Sequence, residues 1–303
     1  MKKENKMWEL INGDCIREMH SMAENGRTFD LAVYSPPFAS LYTYSNSDSD
    51  MGNSRDSDDE FLLHHRFFVD ALLPVIKPGR NVCVHIANPT RTKASHGYMG
   101  IWDLRGEMIK QYESAGFIYY GEITVDKNPQ AQAIRTKAHA LMFISLDKDS
   151  AIVRPAIADY VMVFKRPGVN EIPIKSAERG EITRDQWIEW ASPVWRGIKE
   201  TNTLNAALAR SEQDERHLCP LQLDLIERVV KLWSNPGETV FSPFAGIGSE
   251  GYVSVSLGRN FVGTELKPEY ANRAQYNLTE AEALKNSSQA DFFGGPTSRS
   301  FHV

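Results

Sequence analysis

Short apolar runs alternate with amphipathic stretches along this chain. Phe29-Asp30-Leu31-Ala32-Val33-Tyr34 reads as a buried strand. Val82 to Ile86, Phe117 to Val125, Tyr160 to Lys165, Thr239 to Phe241 and Phe261 to Glu265 read the same way. Trp8 to Asp14 predicts a strand ending at Gly13-Asp14, and Ile16 to Met19 a short helix after it. Helices are predicted from Phe61 to Ile76, closed by Lys77-Pro78-Gly79, from Asp103 to Ala115, and from about Glu250 to Leu257. Leu223, Ile226, Val229, Val230, Leu232 and Trp233 recur at helical spacing, and Asn235-Pro236-Gly237 ends that run. Short strands alternating with helices predict an α/β fold: a doubly wound, mostly parallel sheet with helices on both faces.

Composition narrows the class. At 303 residues and 42% hydrophobic, there is material for one large domain with an insertion, or two small ones. No signal peptide or 18-residue apolar span appears, and three scattered cysteines fit a reducing compartment. A soluble cytoplasmic protein with no membrane contact is expected. The net charge of −5 disfavours a strongly basic nucleic-acid binder, but the charge is uneven. Asp48, Asp50, Asp56, Asp58, Asp59 and Glu60 crowd the Ser45 to Glu60 segment, which reads as a mobile loop, either a solvated one or a lid.

The first candidate chemistry is Ser35-Pro36-Pro37-Phe38, directly after the first buried strand. Two prolines stop the strand and stiffen a turn at its carboxyl end, where open α/β sheets bind ligands. The turn would present a hydroxyl, backbone carbonyls and an aromatic face. Those groups suit a planar base held by its exocyclic amino group. Acceptors aimed at the two N–H bonds favour a developing tetrahedral nitrogen over the planar one. Ser35 Oγ and the Pro36 carbonyl would be the acceptors, and Phe38 would stack on the base. The plain alternative is an ordinary strand-to-loop turn.

The second is Ser242-Pro243-Phe244-Ala245-Gly246-Ile247-Gly248-Ser249-Glu250-Gly251, between a strand and a helix. Gly246 and Gly248 allow a tight turn and close approach to a nucleotide-like ligand. Glu265, at the tip of the next strand, is placed for two ribose hydroxyls. Taken literally, the run is also G-x-G-x-x-G with an acid about 20 residues on, the dinucleotide fingerprint. Few residues follow Glu265, and the apolar Pro243-Phe244-Ala245 lead-in offers few N–H groups to a pyrophosphate.

Together the two motifs resemble the amino-group DNA methyltransferases, which methylate cytosine N4 or adenine N6 using S-adenosylmethionine. In that family an Asp/Asn/Ser-Pro-Pro-Tyr/Phe motif is catalytic and a Phe-x-Gly-x-Gly loop binds the cofactor. Phe244-Ala245-Gly246-Ile247-Gly248 is similar to that loop. The catalytic motif precedes the loop, as in the circularly permuted β group, with a target-recognition region inserted between. The resemblance implies a Rossmann-like methyltransferase fold, double-stranded DNA as partner and a base flipped out of the stack. Ser35 is similar to the N4-cytosine members, and Ser242 stands where the family usually has Asp.

The resemblance assigns further residues. Asp14 would contact the cofactor's adenine amino group, with Cys15 beside the ring, although Asp14 alone reads as a helix cap. Cys219, Pro220 and Gln222 would cradle the methionine end, with Ser35, Pro243 and Ala245 also near the cofactor. His217 and Cys219 are too few for a metal site, and no metal is expected. None of Cys15, Cys83 and Cys219 follows a proline, which argues against cytosine C5 methylation. The expected organisation is a catalytic half at 1–165 with an irregular insertion at 128–155. A target-recognition region at 166–216 and a cofactor half at 217–285 follow, then a disordered tail at 286–303. In the recognition region Lys175, Arg179, Trp187, Trp190 and Trp195 mix charge with aromatics, though the tryptophans also read as core. The chain is expected to modify DNA without cutting it. A homodimer and a nuclease partner stay open. RNA or protein-amide methylation, or an inactive DNA-binding relative, are the alternatives.

Overall fold

The computed structural model describes residues 6–38, 50–53, 58–91, 93–130, 147–152, 156–204 and 220–293. Strands are β1 (Trp8–Asn12), β2 (Phe29–Tyr34), β3 (Ile76–Ala87), β4 (Thr90–Arg91) and β5 (Gly100–Ile101). They continue as β6 (Ile118–Val125), β7 (Asp159–Lys165), β8 (Val194–Trp195), β9 (Thr239–Ser242) and β10 (Asn260–Glu265). Helices are α1 (Cys15–Glu24), α2 (Asp58–Leu72), α3 (Lys93–His96), α4 (Leu104–Ser114), α5 (Arg184–Trp190), α6 (Leu223–Trp233), α7 (Ser249–Ser256) and α8 (Pro268–Phe293).

One eight-stranded sheet runs β1-β10-β9-β2-β3-β7-β6-β8. The five strands from β1 to β3 are mutually parallel, and β7 runs antiparallel to both β3 and β6. The expected doubly wound, mostly parallel sheet is therefore present. Alternate residues of the central strands feed two cores. Ala32, Tyr34, Val82 and Val84 pack with Met19, Phe68, Leu72 and Met108 under α1, α2 and α4. Leu31, Val33 and Cys83 pack with Leu225, Val229, Val255 and Leu278 under α6, α7 and α8. All six residues of β2 are buried, as its continuous apolar run requires.

Four expectations shift. Lys77-Pro78-Gly79 does not end a helix: α2 stops at Leu72, a 3-10 turn follows, and β3 already begins at Ile76. Gly79, at φ +73°, and the skipped register between Phe29 and Leu31 make this stretch a bulge, with Gly79 N donating to the Arg166 carbonyl at 2.9 Å. The first helix is longer than Ile16 to Met19, because Met19 and Met22 anchor a second turn in the core. The tail is not disordered from Asn286, because α8 continues to Phe293. Its buried stripe of Tyr270, Ala271, Ala274, Leu278 and Ala281 holds the helix, and no Gly or Pro interrupts it before Gly294. The acidic segment is not uniformly solvated, because Asp50 and Met51 are buried.

Residues 170–181 lie along the amino-terminal edge of the sheet. There Arg80 donates to the Asp30 carbonyl and pairs with Glu238, and Arg259 pairs with Glu181. Arg179 belongs to this lattice through Glu181 and Asn235, on the edge away from the strand ends that carry the motifs. Trp190 and Trp195 are core residues, whereas Trp187 is exposed. Much of the 128–155 insertion and residues 205–219 lie outside the described residues.

Close packing of α7 on the sheet gives a test of stability. A Cβ on Gly251 would lie 2.5 Å from both Leu278 Cδ2 and Phe261 Cδ1, which are themselves buried. Gly251→Val is expected to cost about 1–3 kcal/mol, read as a lower denaturant midpoint at unchanged slope.

Candidate active site

The strand order reverses between β9 and β2, which stay parallel. From β9 the chain crosses by α7 to β10 over one face, and from β2 it crosses by α2 to β3 over the other. Parallel strands whose crossovers diverge leave a crevice beyond their carboxyl ends, the usual ligand position in such sheets. Both motifs end here, one on β2 and one on β9.

A cavity of about 200 Å³ fills this crevice. Ser35, Pro36, Pro37 and Phe38 line one wall, and Pro243, Phe244, Ala245 and Gly246 line another. Asp14, Cys15, Pro220 and Glu265 complete it, so most of the sequence candidates meet in one place. Asp50, Met51, Ile247, Ser249, Glu250, Lys267 and Tyr270 line it as well, and the sequence did not single them out as site residues.

Three candidates stand differently. Gly248 is not in the cavity wall. It caps α7 at φ +87°, and a Cβ there would lie 3.1 Å from Ala274 Cβ, so the glycine serves the turn and the packing behind it. Gln222 also stays outside the wall. It is the buried N-cap position of α6, and its Oε1 finds no hydrogen-bond partner. Cys219 lies outside the described residues.

The glycine loop is held from below. Ala245 N donates to the Thr264 carbonyl at 2.9 Å, Thr264 Oγ1 to the Pro243 carbonyl at 2.7 Å, and Asn277 Nδ2 to the Ile247 carbonyl at 2.8 Å. Gly246 adopts φ +52°, and its N–H donates to Glu265 Oε2 at 2.8 Å. Lys267 N donates to Glu265 Oε1 at 2.9 Å. Each carboxylate oxygen thus keeps one lone pair for a ligand. Asp14 caps α1, with Oδ1 accepting from Ile16 N at 2.8 Å and Arg17 N at 3.0 Å. The cap and the cavity position coexist, because its other oxygen takes no part in the cap.

Burial pushes the Glu265 carboxyl up to about 7, against the two backbone N–H groups. Burial raises Glu250 to about 8. The Cys15 thiol is held protonated by burial, with Asp14 and Glu265 adding to the effect. Ser35 Oγ lies 3.2 Å from Nδ1 of His85, and Phe38 packs beside the His85 ring at 6.4 Å between centroids.

S-adenosylmethionine fits this donor set. Asp14, Asp50, Glu250 and Glu265 line a cavity suited to a ligand with sulfonium and ammonium cations, whose charge would favour the ionised forms of the two raised carboxyls. Ser249 Oγ is buried in the wall without a partner, and Met51, Phe244, Ile247 and Tyr270 offer apolar surface to a purine.

Residues 29–276 match the N6/N4 methyltransferase family of DNA methylases, and the chain belongs to that family. It is an amino-group DNA methyltransferase, and its cofactor is S-adenosylmethionine. Among curated relatives, the type II methyltransferase M1.MboII of Moraxella bovis is 27% identical over 84% of this chain and 91% of its own. TTHA0409 of Thermus thermophilus, solved with S-adenosyl-L-methionine, shares the fold at TM-score 0.66 and 20% identity, covering 90% of this chain and 93% of that one. The PvuII DNA methyltransferase, cytosine-N4-specific, shares it at TM-score 0.62 and 16% identity, covering 92% and 91%. Among the described residues, no helix is long and apolar enough to cross a membrane.

Proposed function

We propose that this chain methylates the exocyclic amino group of a base flipped out of duplex DNA, N4 of cytosine in preference to N6 of adenine, without cutting the strand. The observation that carries the proposal is the meeting of Ser35-Pro36-Pro37-Phe38 with the Gly246 loop and Glu265 in one cavity. Ser35 Oγ and the Pro36 carbonyl accept the amino N–H bonds, and Phe38 lies against the base. Glu265 accepts from the ribose hydroxyls, Asp14 from the adenine amino group, and Cys15, Pro243, Phe244, Ala245, Gly246 and Pro220 close around the cofactor. The bound cofactor supplies an electrophilic methyl group on a sulfonium. The protein's part is geometry, charge and exclusion of water.

A base in the stack keeps its amino group paired and out of reach of a cavity walled by Ser35, Phe38 and the Gly246 loop, so the base leaves the stack. The hydroxyl of Ser35 supports cytosine. The motif order along the chain, with the glycine loop after the Ser-Pro-Pro-Phe turn, supports the permuted β group. Residues between the two halves supply target recognition; among the described ones, β8 pairs with the end of β6 and Asn202 accepts from Leu223 N, close in the chain to Pro220 and Leu221 of the cavity wall.

Incubation with unmethylated DNA, followed by digestion to nucleosides and mass spectrometry, is expected to yield N4-methylcytosine. N6-methyladenine instead would overturn the choice of base.

The raised carboxyl of Glu265 predicts a pH dependence. Donors from the ribose and a nearby cation favour the ionised carboxylate, so binding lowers the pKa and releases a proton. Affinity for S-adenosylmethionine is expected to rise as pH increases to about 7 and to level off above it. The ligand-free protein loses stability as pH rises from the ordinary glutamate range to about 7, where the folded state holds a proton that the unfolded chain has given up, and the loss levels off above that. Calorimetry in buffers of different ionisation enthalpy measures the release, and buffer-independent heats would refute it.

A further inference from the structure

Behind Ser35 stands a chain of polar side chains that the functional reading leaves unused. Ser35 Oγ and His85 Nδ1 are 3.2 Å apart, and His85 Nε2 lies 3.0 Å from Asp159 Oδ2. Lys127 Nζ lies 2.5 Å from that same oxygen. Ser35 follows β2, His85 is near the end of β3, Lys127 follows β6, and Asp159 opens β7. Because β7 is antiparallel, its first residue reaches the edge where its parallel neighbours end. His85 pairs across the ladder with Val161, which puts Asp159 in the diagonal position on the same face.

The array is enclosed, with side-chain exposures of 10% for His85, 4% for Lys127 and 13% for Asp159. Burial alone would raise the Asp159 carboxyl, but the hydrogen bond from His85 and the ammonium of Lys127 hold it down at about 2. It is ionised at any working pH. An ion pair tying β6 to β7 would account for Lys127 and Asp159. It would not account for a histidine with both ring nitrogens engaged, one of them by the residue that faces the cavity.

A neutral imidazole has one donor and one acceptor nitrogen, and an anion at Nε2 fixes the proton there. Nδ1 must then accept, and the donor in reach is the Ser35 hydroxyl. With its hydrogen turned to His85, Ser35 presents only lone pairs to the cavity. That settles a serine, which can donate or accept, as an acceptor for an amino group.

We propose that His85, held by Asp159 and Lys127, is a positioning residue that fixes Ser35 as an acceptor and receives through it the proton that the target amino group gives up. This rests on the reading in which Ser35 faces the amino nitrogen. The nitrogen lone pair forms the bond to the methyl carbon while the carbon–sulfur bond breaks and its electron pair stays on sulfur. The nitrogen, then positively charged, passes one proton to Ser35 Oγ as the Ser35 hydroxyl proton moves to His85 Nδ1. The imidazolium rests against Asp159 until it loses that proton to water. The groups facing His85 are Ser35 and Phe38 from the end of β2, Lys127 beyond β6 and Asp159 on β7. Its nearest titratable neighbour on that face of its own strand is Cys83, whose thiol burial holds protonated.

The test is single-turnover methyl transfer to duplex DNA at saturating S-adenosylmethionine, from about pH 5.5 to 9. His85→Gln is expected to lose about 10²-fold in rate and the acid limb of the wild-type profile, with cofactor affinity held within about threefold. Asp159→Asn carries the same expectation should His85→Gln not fold, because its amide donates to Nε2 and turns the Ser35 hydroxyl around. A wild-type rate, a retained acid limb, or a rate loss matched by equal loss of cofactor affinity would each overturn the proposal. Ser35→Ala run alongside separates the two readings. If it is slow while His85→Gln is not, only the relay falls. If Ser35→Ala transfers at the wild-type rate, the reading of Ser35 falls and the relay with it.

Discussion

Ser35→Ala is expected to slow methyl transfer by about 10²–10³-fold while cofactor affinity stays within about threefold. The exocyclic nitrogen is planar in the free base and its lone pair is spread into the ring. It attacks carbon only as it becomes tetrahedral, and an acceptor aimed at an N–H bond stabilises that state more than the planar one. Ser35 is built into a turn with little freedom, since two prolines follow it, Pro36 is buried, and the preceding strand is fully buried. Its hydroxyl is therefore held in place before the base arrives. Alanine removes the acceptor and leaves the Pro36 carbonyl and the wall intact, so the loss should fall on the rate constant. Rapid-quench measurement with saturating cofactor and DNA checks it, and a loss confined to KM would point to a binding role instead.

Glu265→Gln is expected to weaken S-adenosylmethionine binding by about 10²-fold or more, although the two side chains have the same shape. One carboxylate oxygen accepts from Gly246 N and the other from Lys267 N. An amide has one oxygen and one NH2, so whichever way it turns, a donor faces a backbone donor. The clash either breaks the turn at Gly246 or leaves an N–H unpaired in a buried site, a cost of about 1–3 kcal/mol before any ribose contact is lost. The substitution also removes a negative charge from around a cationic ligand. Titration calorimetry reads the change directly, and a Kd near the wild-type value would remove Glu265 from the cofactor site.

Much of this architecture is legible in the chain itself. β2, β9 and β10 are continuous apolar runs cut by Pro or Gly, and α6 shows its buried stripe in Leu225, Ile226, Val229 and Val230. The bulge at Lys77-Pro78-Gly79 was not legible, because the same three residues end a helix when read locally. What makes them part of β3 is pairing with β2 and Arg166, far along the chain. The cavity walls were legible where a motif carried them and hidden elsewhere. Asp50 was one acid among many in a polar segment, and only the fold buries it near Glu265. Gly248 carried the motif's pattern, but its need for glycine arises behind the loop, at Ala274. His85 sat in the apolar run Val82 to Ile86, and nothing there singled it out. The one signal for it was a histidine near the end of a strand adjacent to the one bearing Ser35. Its partners Asp159 and Lys127 depend on antiparallel pairing of β7, which no local pattern encodes.

The destination of the methyl group is the decisive observable. The direct measurement is transfer of labelled methyl from S-adenosylmethionine to unmethylated duplex DNA, with wild type and Ser35→Ala side by side and the product nucleosides separated. Label on an exocyclic amino nitrogen, strongly reduced in Ser35→Ala, is the predicted result. Label on cytosine C5, or cofactor binding with no label in DNA, would contradict it.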